Sequence, residues 1–173
     1  GSVQKFFLTT QISEINLFGR GQTLSLQGQF AADSISRSIN LGFTDPYAFQ
    51  TRWSMGFDVF YTTFRIPDRY LLRKLGFDVR LGHPLSDDIN AFVTYKNESL
   101  RLTGFDNNAL SSALRNDPDT ALDEGVLSSL VWSVIRDKRN NRFETTEGNY
   151  QSVSLETAGL GGDKTFLKWI VNN

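Results

Sequence analysis

Two neighbouring segments of the chain alternate strictly between apolar and polar residues, and this alternation limits the folds open to it. Residues 35–43 carry Ile, Arg, Ile, Leu and Phe at the odd positions, with Ser, Asn and Gly between them. Residues 53–61 repeat the pattern, with Phe60 as the exception. Since successive side chains of a strand point to opposite faces, each segment is predicted to be a strand with one apolar and one polar face.

The same alternation recurs along the chain and predicts an all-β protein. Residues 126–135 are apolar at both parities, so their faces stay unassigned, and residues 109–115 are predicted to form one or two helical turns. The nine predicted strands lie at about residues 6–13, 23–30, 35–43, 53–61, 75–81, 89–96, 126–135, 152–156 and 165–171.

Composition excludes several classes of function. The chain has 173 residues and a formal net charge of -1, without the basic excess that nucleic-acid binding requires. It has no Cys, which excludes disulfides, thiolate metal sites and a Cys nucleophile. No run reaches the roughly 18 apolar residues of a membrane helix, but a transmembrane strand needs only about 9 to 11 alternating residues. Gly1 and Ser2 are typical of a cloning scar, so we expect the natural N-terminus to lie upstream.

The connectors between predicted strands are sorted by length. Residues 16–21, 44–50 and 82–88 are compact and rich in Gly, Pro, Asn and Asp, whereas the alternate connectors 62–74 and 103–125 are longer. Short turns at one rim and longer loops at the other are typical of outer-membrane barrels, although residues 31–34 and 137–148 depart from this order. The residues predicted to build the turns are Gly19, Gly21, Asp45, Pro46, Tyr47, Asp137, Arg139, Glu147 and Gly148.

Strand length favours a membrane barrel over a soluble one without deciding between them. A ten-residue strand is roughly 33 Å long and, tilted by about 40°, crosses the apolar band of about 25 Å in an outer-membrane barrel. A lipocalin-like barrel also alternates, with its apolar face inward. The charges on the polar parity suit either a wet lumen or bulk water; they are Glu14, Asp58, Asp78, Arg80 and Lys96.

Four motifs occur in one order that is similar to a known family. They are Asn16-Leu17-Phe18-Gly19-Arg20-Gly21, Thr44-Asp45-Pro46-Tyr47, Arg136 to Phe143 followed by Thr146-Glu147-Gly148, and Ala158-Gly159-Leu160-Gly161-Gly162-Asp163. Together they resemble the N-terminal half of the barrel in the BamA family of bacterial outer-membrane protein assembly factors, also called the bacterial surface antigen domain. One departure is Thr145, where the family usually has Pro.

The resemblance implies an antiparallel up-and-down transmembrane β-barrel, of which residues 1–173 supply a partial domain of eight or nine strands. The POTRA repeats, the seam-forming first strand and the C-terminal barrel half have no counterpart. The implied function of the full-length parent is to insert and fold β-barrel proteins in the bacterial outer membrane, without a cofactor. Its implied partners are outer-membrane lipid, nascent β-barrel proteins and the lipoproteins of the assembly complex. The fragment itself is expected to close into a small barrel or to join a second copy through its open strand edges.

Two other classes of function stay open at this point. One is a two-partner-secretion or autotransporter-assembly relative, and the other is a passive porin-like barrel or a soluble β-domain. An enzyme is not expected, because no nucleophile and base or set of metal ligands can be assembled. We interpret His83, Asp87 and Asp88 as structural or solvated residues, and likewise the loop acids Asp117, Asp119, Asp123 and Glu124.

Three further features have structural interpretations. The charges of Asp137, Arg139, Arg142 and Glu147 are expected to pair across their turn. Residues 159–162 lack the Lys-Ser/Thr pair of a phosphate loop. The aromatic residues assigned to interfacial girdles are Trp53, Tyr47, Phe49 and Trp132.

Overall fold

The computed structural model describes residues 6–32, 35–66, 70–103, 124–140 and 146–173, and these form nine β-strands. The strands are β1 (Phe7–Leu17), β2 (Gln22–Ala31), β3 (Arg37–Ala48), β4 (Trp53–Ile66), β5 (Tyr70–Pro84), β6 (Ile89–Thr103), β7 (Gly125–Asp137), β8 (Tyr150–Ala158) and β9 (Phe166–Asn172).

All nine strands belong to one sheet in the order β1 to β9, and each pairs antiparallel with its neighbours in the chain. This up-and-down topology confirms the predicted fold class. The sheet is open, since β1 and β9 are its edge strands. None of the described residues forms a helix long and apolar enough to cross a membrane.

The longest strands extend beyond their predicted bounds. The predicted connector 62–74 is wrong, because β4 and β5 stay paired up to Ile66 and Tyr70. Backbone pairing needs no apolar side chain, so a strand continues where the hydrophobic alternation ends. The predicted turn 44–50 is also displaced: β3 runs to Ala48, and residues 49–52 make the turn.

Several predictions concern residues outside the described part of the chain. These are the helical turns at 109–115, the loop acids Asp117, Asp119 and Asp123, and Arg142 and Thr145 of the hairpin.

The register defines two faces of the sheet. Leu41, Val59 and Phe77 are directly opposite one another on β3, β4 and β5, so they lie on one face. Leu41 is 45% exposed and Phe77 is 37% exposed, whereas the side chain of Asp58, on the other face, is only 13% exposed. The apolar face is therefore the exposed one, and the carboxylate of Asp58 is enclosed, as predicted from the alternation. The assignment of Glu14 to the polar face is wrong, because Glu14 lies opposite Leu24, which lies opposite Phe43 of the apolar face.

The pairing of β6 with β7 assigns the faces of residues 126–135, which the sequence left open. Trp132 lies opposite Val93 and Leu130 lies opposite Tyr95, so the even residues of β7 share the apolar face. Val131 lies opposite Thr94 on the polar face. The described residues have few buried hydrophobic side chains, namely Ala31, Ala48, Leu102 and Ala158, so the sheet encloses little apolar core.

Candidate functional site

The first candidate functional surface is the exposed apolar face, which continues across the sheet. One transverse row joins Val93, Trp132, Leu155 and Trp169 on β6 to β9. The ring of Phe77 lies between those of Phe57, at 6.3 Å, and Tyr95, at 6.0 Å between centroids. We call this surface the apolar belt; its members by strand are Leu24, Leu26, Ile39, Leu41, Phe43, Met55, Phe57, Val59, Tyr61, Leu75, Phe77, Val79, Leu81, Val93, Tyr95, Leu130, Trp132, Val153, Leu155, Trp169 and Val171.

Aromatic side chains border the belt at the rim formed by the β1–β2, β3–β4, β5–β6 and β7–β8 connectors, which we call the turn-side rim. Tyr47 is 68% exposed and Phe49 is 82% exposed. Trp53 stacks obliquely on His83, with 4.6 Å between the ring centroids. This contact gives His83 a packing role on the apolar face, next to an aromatic residue of the predicted girdle.

The second candidate surface is a set of ion pairs on the polar face of β4, β5 and β6. Arg80 contacts the carboxylate of Asp58, and its Nη1 lies 2.9 Å from Asp78 Oδ1. On β6, Glu98 Oε2 lies 2.9 Å from both Lys74 Nζ and Lys96 Nζ. We call these six residues the charged lattice; they are Asp58, Lys74, Asp78, Arg80, Lys96 and Glu98.

The charged lattice links β4, β5 and β6 through ion pairs. Two of the ion pairs, Arg80 with Asp78 and Lys96 with Glu98, run along a strand. The other two, Arg80 with Asp58 and Lys74 with Glu98, cross to a neighbouring strand. The three carboxylates of the lattice are balanced by three cations. Because the carboxylate side chains are largely enclosed, unpairing one would leave a poorly solvated charge. The lattice therefore fixes the register of β4, β5 and β6 on the enclosed face.

Glycines on the same face make room for large side chains on neighbouring strands. A Cβ on Gly76 would meet Phe60 Cζ and would lie 2.7 Å from the backbone oxygen of Asn97. A Cβ on Gly82 would lie 2.7 Å from two ring carbons of Phe92. Phe60, which breaks the alternation of its segment, thus lies on the polar face and covers Gly76. The sequence signal for this arrangement was Gly at regular positions of the polar parity.

Hydroxyl and carboxylate groups extend the polar face beyond the charged lattice. Ser129 Oγ donates to Glu156 Oε1 at 2.8 Å, across β7 and β8. The Ser133 and Ser154 hydroxyls lie 2.9 Å apart. These cross-strand hydrogen bonds link the side chains of the later strands, as the ion pairs do for β4 to β6.

The predicted turn residues Gly19 and Gly21 lie in the β1–β2 turn. Both have a φ of 70°, a left-handed conformation that favours Gly. The Gly21 amide donates to Asn16 Oδ1 at 2.7 Å, and the Gly19 amide donates to the Asn16 carbonyl at 3.0 Å. Asn16 therefore closes the turn with its side-chain oxygen and with its main-chain oxygen.

Asp45, Pro46 and Tyr47 lie in the last residues of β3, before the turn. Asp45 Oδ1 accepts the Tyr47 amide at 2.9 Å, and its Oδ2 accepts from Gln22 Nε2 at 2.8 Å. The pairing of β3 with β4 is irregular between Asp45 and Ala48. Asp45 thus fixes the end of β3 locally and links it to β2.

In the β7–β8 hairpin, Asp137 and Arg139 form an ion pair along one side of the hairpin, and not across the turn as predicted. The Arg139 guanidinium donates from Nε and Nη2 to the two Asp137 oxygens, each at 2.8 Å. These hydrogen bonds raise the pKa of Arg139 above its ordinary value. The guanidinium carbon also lies 4.8 Å from the ring centroid of Tyr150 across the hairpin. Asp137 and Tyr150 are paired residues, so Arg139 covers the point where the hairpin opens.

Glu147 and Gly148 lie on the returning side of this hairpin. The Glu147 carbonyl accepts the Asn140 amide at 3.1 Å. Gly148 has a φ of 102°, and a Cβ there would collide with the carbonyl of Lys138. Only Gly permits this close approach of the two backbones.

The fourth motif, residues 158–163, folds back onto the start of β7. Asp163 Oδ2 accepts the Val126 amide at 2.6 Å, and the Asp163 amide donates to the Val126 carbonyl at 2.7 Å. The Gly159 amide donates to the Ser128 carbonyl at 3.1 Å. This connector therefore continues the hydrogen bonding of β7 beyond the end of β8. The sequence marked this motif as family-like but gave no indication of its partner.

No group of three His, Cys, Asp or Glu side chains that could hold a metal ion is found within the described ranges. The sheet has two candidate functional surfaces, the apolar belt and the charged lattice, and two open strand edges, β1 and β9. Open edges carry unpaired N–H and C=O groups, which can pair with another strand whatever its sequence.

Comparison with known proteins agrees with this architecture. The Omp85 superfamily domain matches residues 16–172. The SAM50-like protein CG7639 of Drosophila melanogaster is 28% identical over 167 residues, which cover 92% of this chain and 36% of that protein. The outer membrane protein assembly factor BamA of Neorickettsia risticii is 26% identical over 170 residues, which cover 97% of this chain and 22% of that protein.

A solved structure has the same fold. The crystal structure of BamA from Haemophilus ducreyi lacking POTRA domains 1–3 aligns with a TM-score of 0.68 at 19% sequence identity, covering 91% of this chain and 32% of that one. The chain thus spans 22% to 36% of the length of these three proteins. Since the domain match covers nearly all of it, the chain belongs to the Omp85 superfamily.

Proposed function

We propose that the chain is part of an outer-membrane barrel whose full-length parent inserts and folds other β-barrel proteins. The observation that supports this most is the pairing of an exposed apolar belt with an enclosed charged lattice in an Omp85 sheet. Such a sheet satisfies its backbone groups between strands and presents apolar side chains to lipid. One relative is named an outer membrane protein assembly factor.

The proposed mechanism is strand addition at an exposed sheet edge. An incoming strand would pair its backbone with the edge, which supplies affinity that does not depend on its sequence. The apolar belt would place this edge within the bilayer, where unpaired backbone costs several kcal/mol per group and pairing is strongly favoured. The proposed partners are outer-membrane lipid, nascent β-barrel proteins and, through the parent, the lipoproteins of the assembly complex. No catalytic residue or cofactor is required.

Depletion of the full-length parent from cells tests the proposed function. Unfolded forms of several unrelated β-barrel proteins should accumulate, and restoring the parent should return them to heat-modifiable, folded forms. Accumulation of one dedicated client would instead indicate a secretion or autotransporter-assembly protein. Normal folding of every barrel protein would contradict the proposal.

A purified system tests the same activity directly. Liposomes that contain the full-length parent should accelerate the folding of an added urea-denatured barrel protein. Liposomes that contain an unrelated barrel of similar size are the matched control. Equal rates in the two preparations would contradict an assembly function.

We also propose that residues 1–173 form a partial barrel domain, and that the chain on its own pairs its open edges. The two edge strands, β1 and β9, would pair with each other in one chain or with a second copy. Electrophoresis of unheated, detergent-folded protein distinguishes one compact chain from two. A species that is not heat-modifiable and precipitates without denaturant would contradict edge pairing.

A further inference from the structure

Three arginines lie in one transverse row on the same face as the apolar belt. Arg37 on β3 is opposite Thr63 on β4, Thr63 is opposite Arg73 on β5, and Arg73 is opposite Arg101 on β6. All three arginines are exposed. We call Arg37, Arg73 and Arg101 the arginine row.

The arginine row borders the apolar belt at the rim opposite the turns. Two residues from the arginine row towards the turn-side rim, Ile39, Tyr61 and Leu75 form the nearest row of the apolar belt on β3, β4 and β5. The guanidinium carbon of Arg37 lies 5.7 Å from the ring centroid of Tyr61. Cations that flank an apolar row containing a tyrosine are typical of a membrane interface.

Strand length is consistent with this position. β5 has 15 residues, so it is about 50 Å long, and a tilt of about 40° gives it a height of about 38 Å. The apolar band of an outer-membrane barrel is only about 25 Å tall. The ends of the longest strands therefore project beyond the hydrocarbon, to the depth of the lipid headgroups.

The row concentrates positive charge without a described counter-charge. Arg73 and Arg101 are directly opposite each other, an arrangement of like charges that destabilises a sheet. Among the described residues, no ion pair includes a member of the arginine row. The nearby carboxylate of Glu124 accepts the Leu102 amide at 2.7 Å. An anion placed against the row would remove the repulsion.

We propose that the arginine row is a docking surface for phosphate-bearing lipid headgroups in the leaflet that meets this rim. Guanidinium groups donate paired hydrogen bonds to phosphate oxygens, and the adjoining apolar belt would hold the acyl chains of the same lipid. This combination of phosphate and acyl chain favours a lipid over a free anion. The inference requires the apolar belt to lie in lipid, and it does not depend on whether the parent assembles other proteins.

Native mass spectrometry of the whole chain, folded in neutral detergent, tests the proposal. Added phosphatidylglycerol should be retained in preference to phosphatidylcholine. In the triple variant Arg37→Gln/Arg73→Gln/Arg101→Gln, the apparent affinity for phosphatidylglycerol should fall by about fivefold for each arginine removed. The control Arg20→Gln/Arg52→Gln/Lys138→Gln removes the same charge from the turn-side rim and should retain the lipid as the unmodified chain does.

Other measurements keep the test decisive if the triple variant does not fold. Arg101→Gln alone should show the single fivefold step, and raising the salt from about 0.05 to about 0.5 M should weaken retention by the unmodified chain. Equal retention of the two lipids, or equal loss in the triple variant and its control, would overturn the proposal. So would displacement by millimolar inorganic phosphate, which would indicate a free-anion site. Absence of retention by the unmodified chain would overturn the proposal as well.

Discussion

Asp58 and Asp78 lie directly opposite each other on β4 and β5, and the guanidinium of Arg80 contacts both carboxylates. Two opposed carboxylates on an enclosed face repel each other, so Arg80 converts an unfavourable cross-strand pair into a favourable one. This relationship explains how the enclosed face keeps charges in the middle of its longest strands, behind the apolar belt.

The first prediction follows from this contact. Arg80→Gln should lower the free energy of unfolding by about 1–2 kcal/mol, because it leaves two carboxylates opposed on the enclosed face. Urea titration of the detergent-folded chain, followed by tryptophan fluorescence, measures the change. Arg52→Gln, in an exposed turn, is the control and should have little effect. Adding Asp78→Asn to Arg80→Gln should recover much of the loss; no recovery would show that repulsion is not the cause.

The second prediction concerns the glycine beneath Phe60. Gly76→Ala should destabilise the sheet by about 1–3 kcal/mol, because the new methyl group meets the backbone of Asn97 as well as the Phe60 ring. The matched control is Gly42→Ala, whose methyl group meets only the side chains of Asp58 and Ser25. Thermal unfolding of both variants in the same detergent measures the difference. Equal stability of the two variants would contradict the packing described for Phe60.

The third prediction concerns the connector that covers the start of β7. Asp163→Ala removes the acceptor of the Val126 amide, so hydrogen exchange at Val126 should become about tenfold faster or more. Amides in the middle of β7 should keep their protection. Asp87→Ala removes a carboxylate from an exposed turn and serves as the control. Unchanged exchange at Val126 would show that Asp163 does not hold this end of the strand.

Alternation in the sequence was sufficient to predict the number of strands and the fold class. It worked because each strand has one face that must be apolar and one that must not, so parity alone assigns Leu41 and Asp58 to opposite faces. It failed in residues 62–74, where backbone pairing carries β4 and β5 past the apolar residues. Periodicity reports the environment of side chains and does not report where backbone hydrogen bonds end.

The candidate surfaces were less predictable than the fold, because they depend on register. The sequence placed Asp58, Asp78 and Arg80 on the polar parity, but only the alignment of β4 with β5 shows that Arg80 contacts both acids. The same holds for Phe60, whose position over Gly76 depends on a residue 16 positions away in another strand. The arginine row consists of one residue from each of three strands, so no sequence pattern within a single strand predicts it.

We propose that the odd-numbered residues of β3 contact lipid and that the even-numbered residues do not. Because the chain has no Cys, single cysteines at Ser38, Ile39, Asn40, Leu41 and Phe43 can each carry one spin label in bilayer-folded protein. We expect the labels at 39, 41 and 43 to be accessible to oxygen dissolved in the bilayer, and those at 38 and 40 to a water-soluble nickel complex. The reverse pattern, or accessibility that does not alternate, would contradict the account.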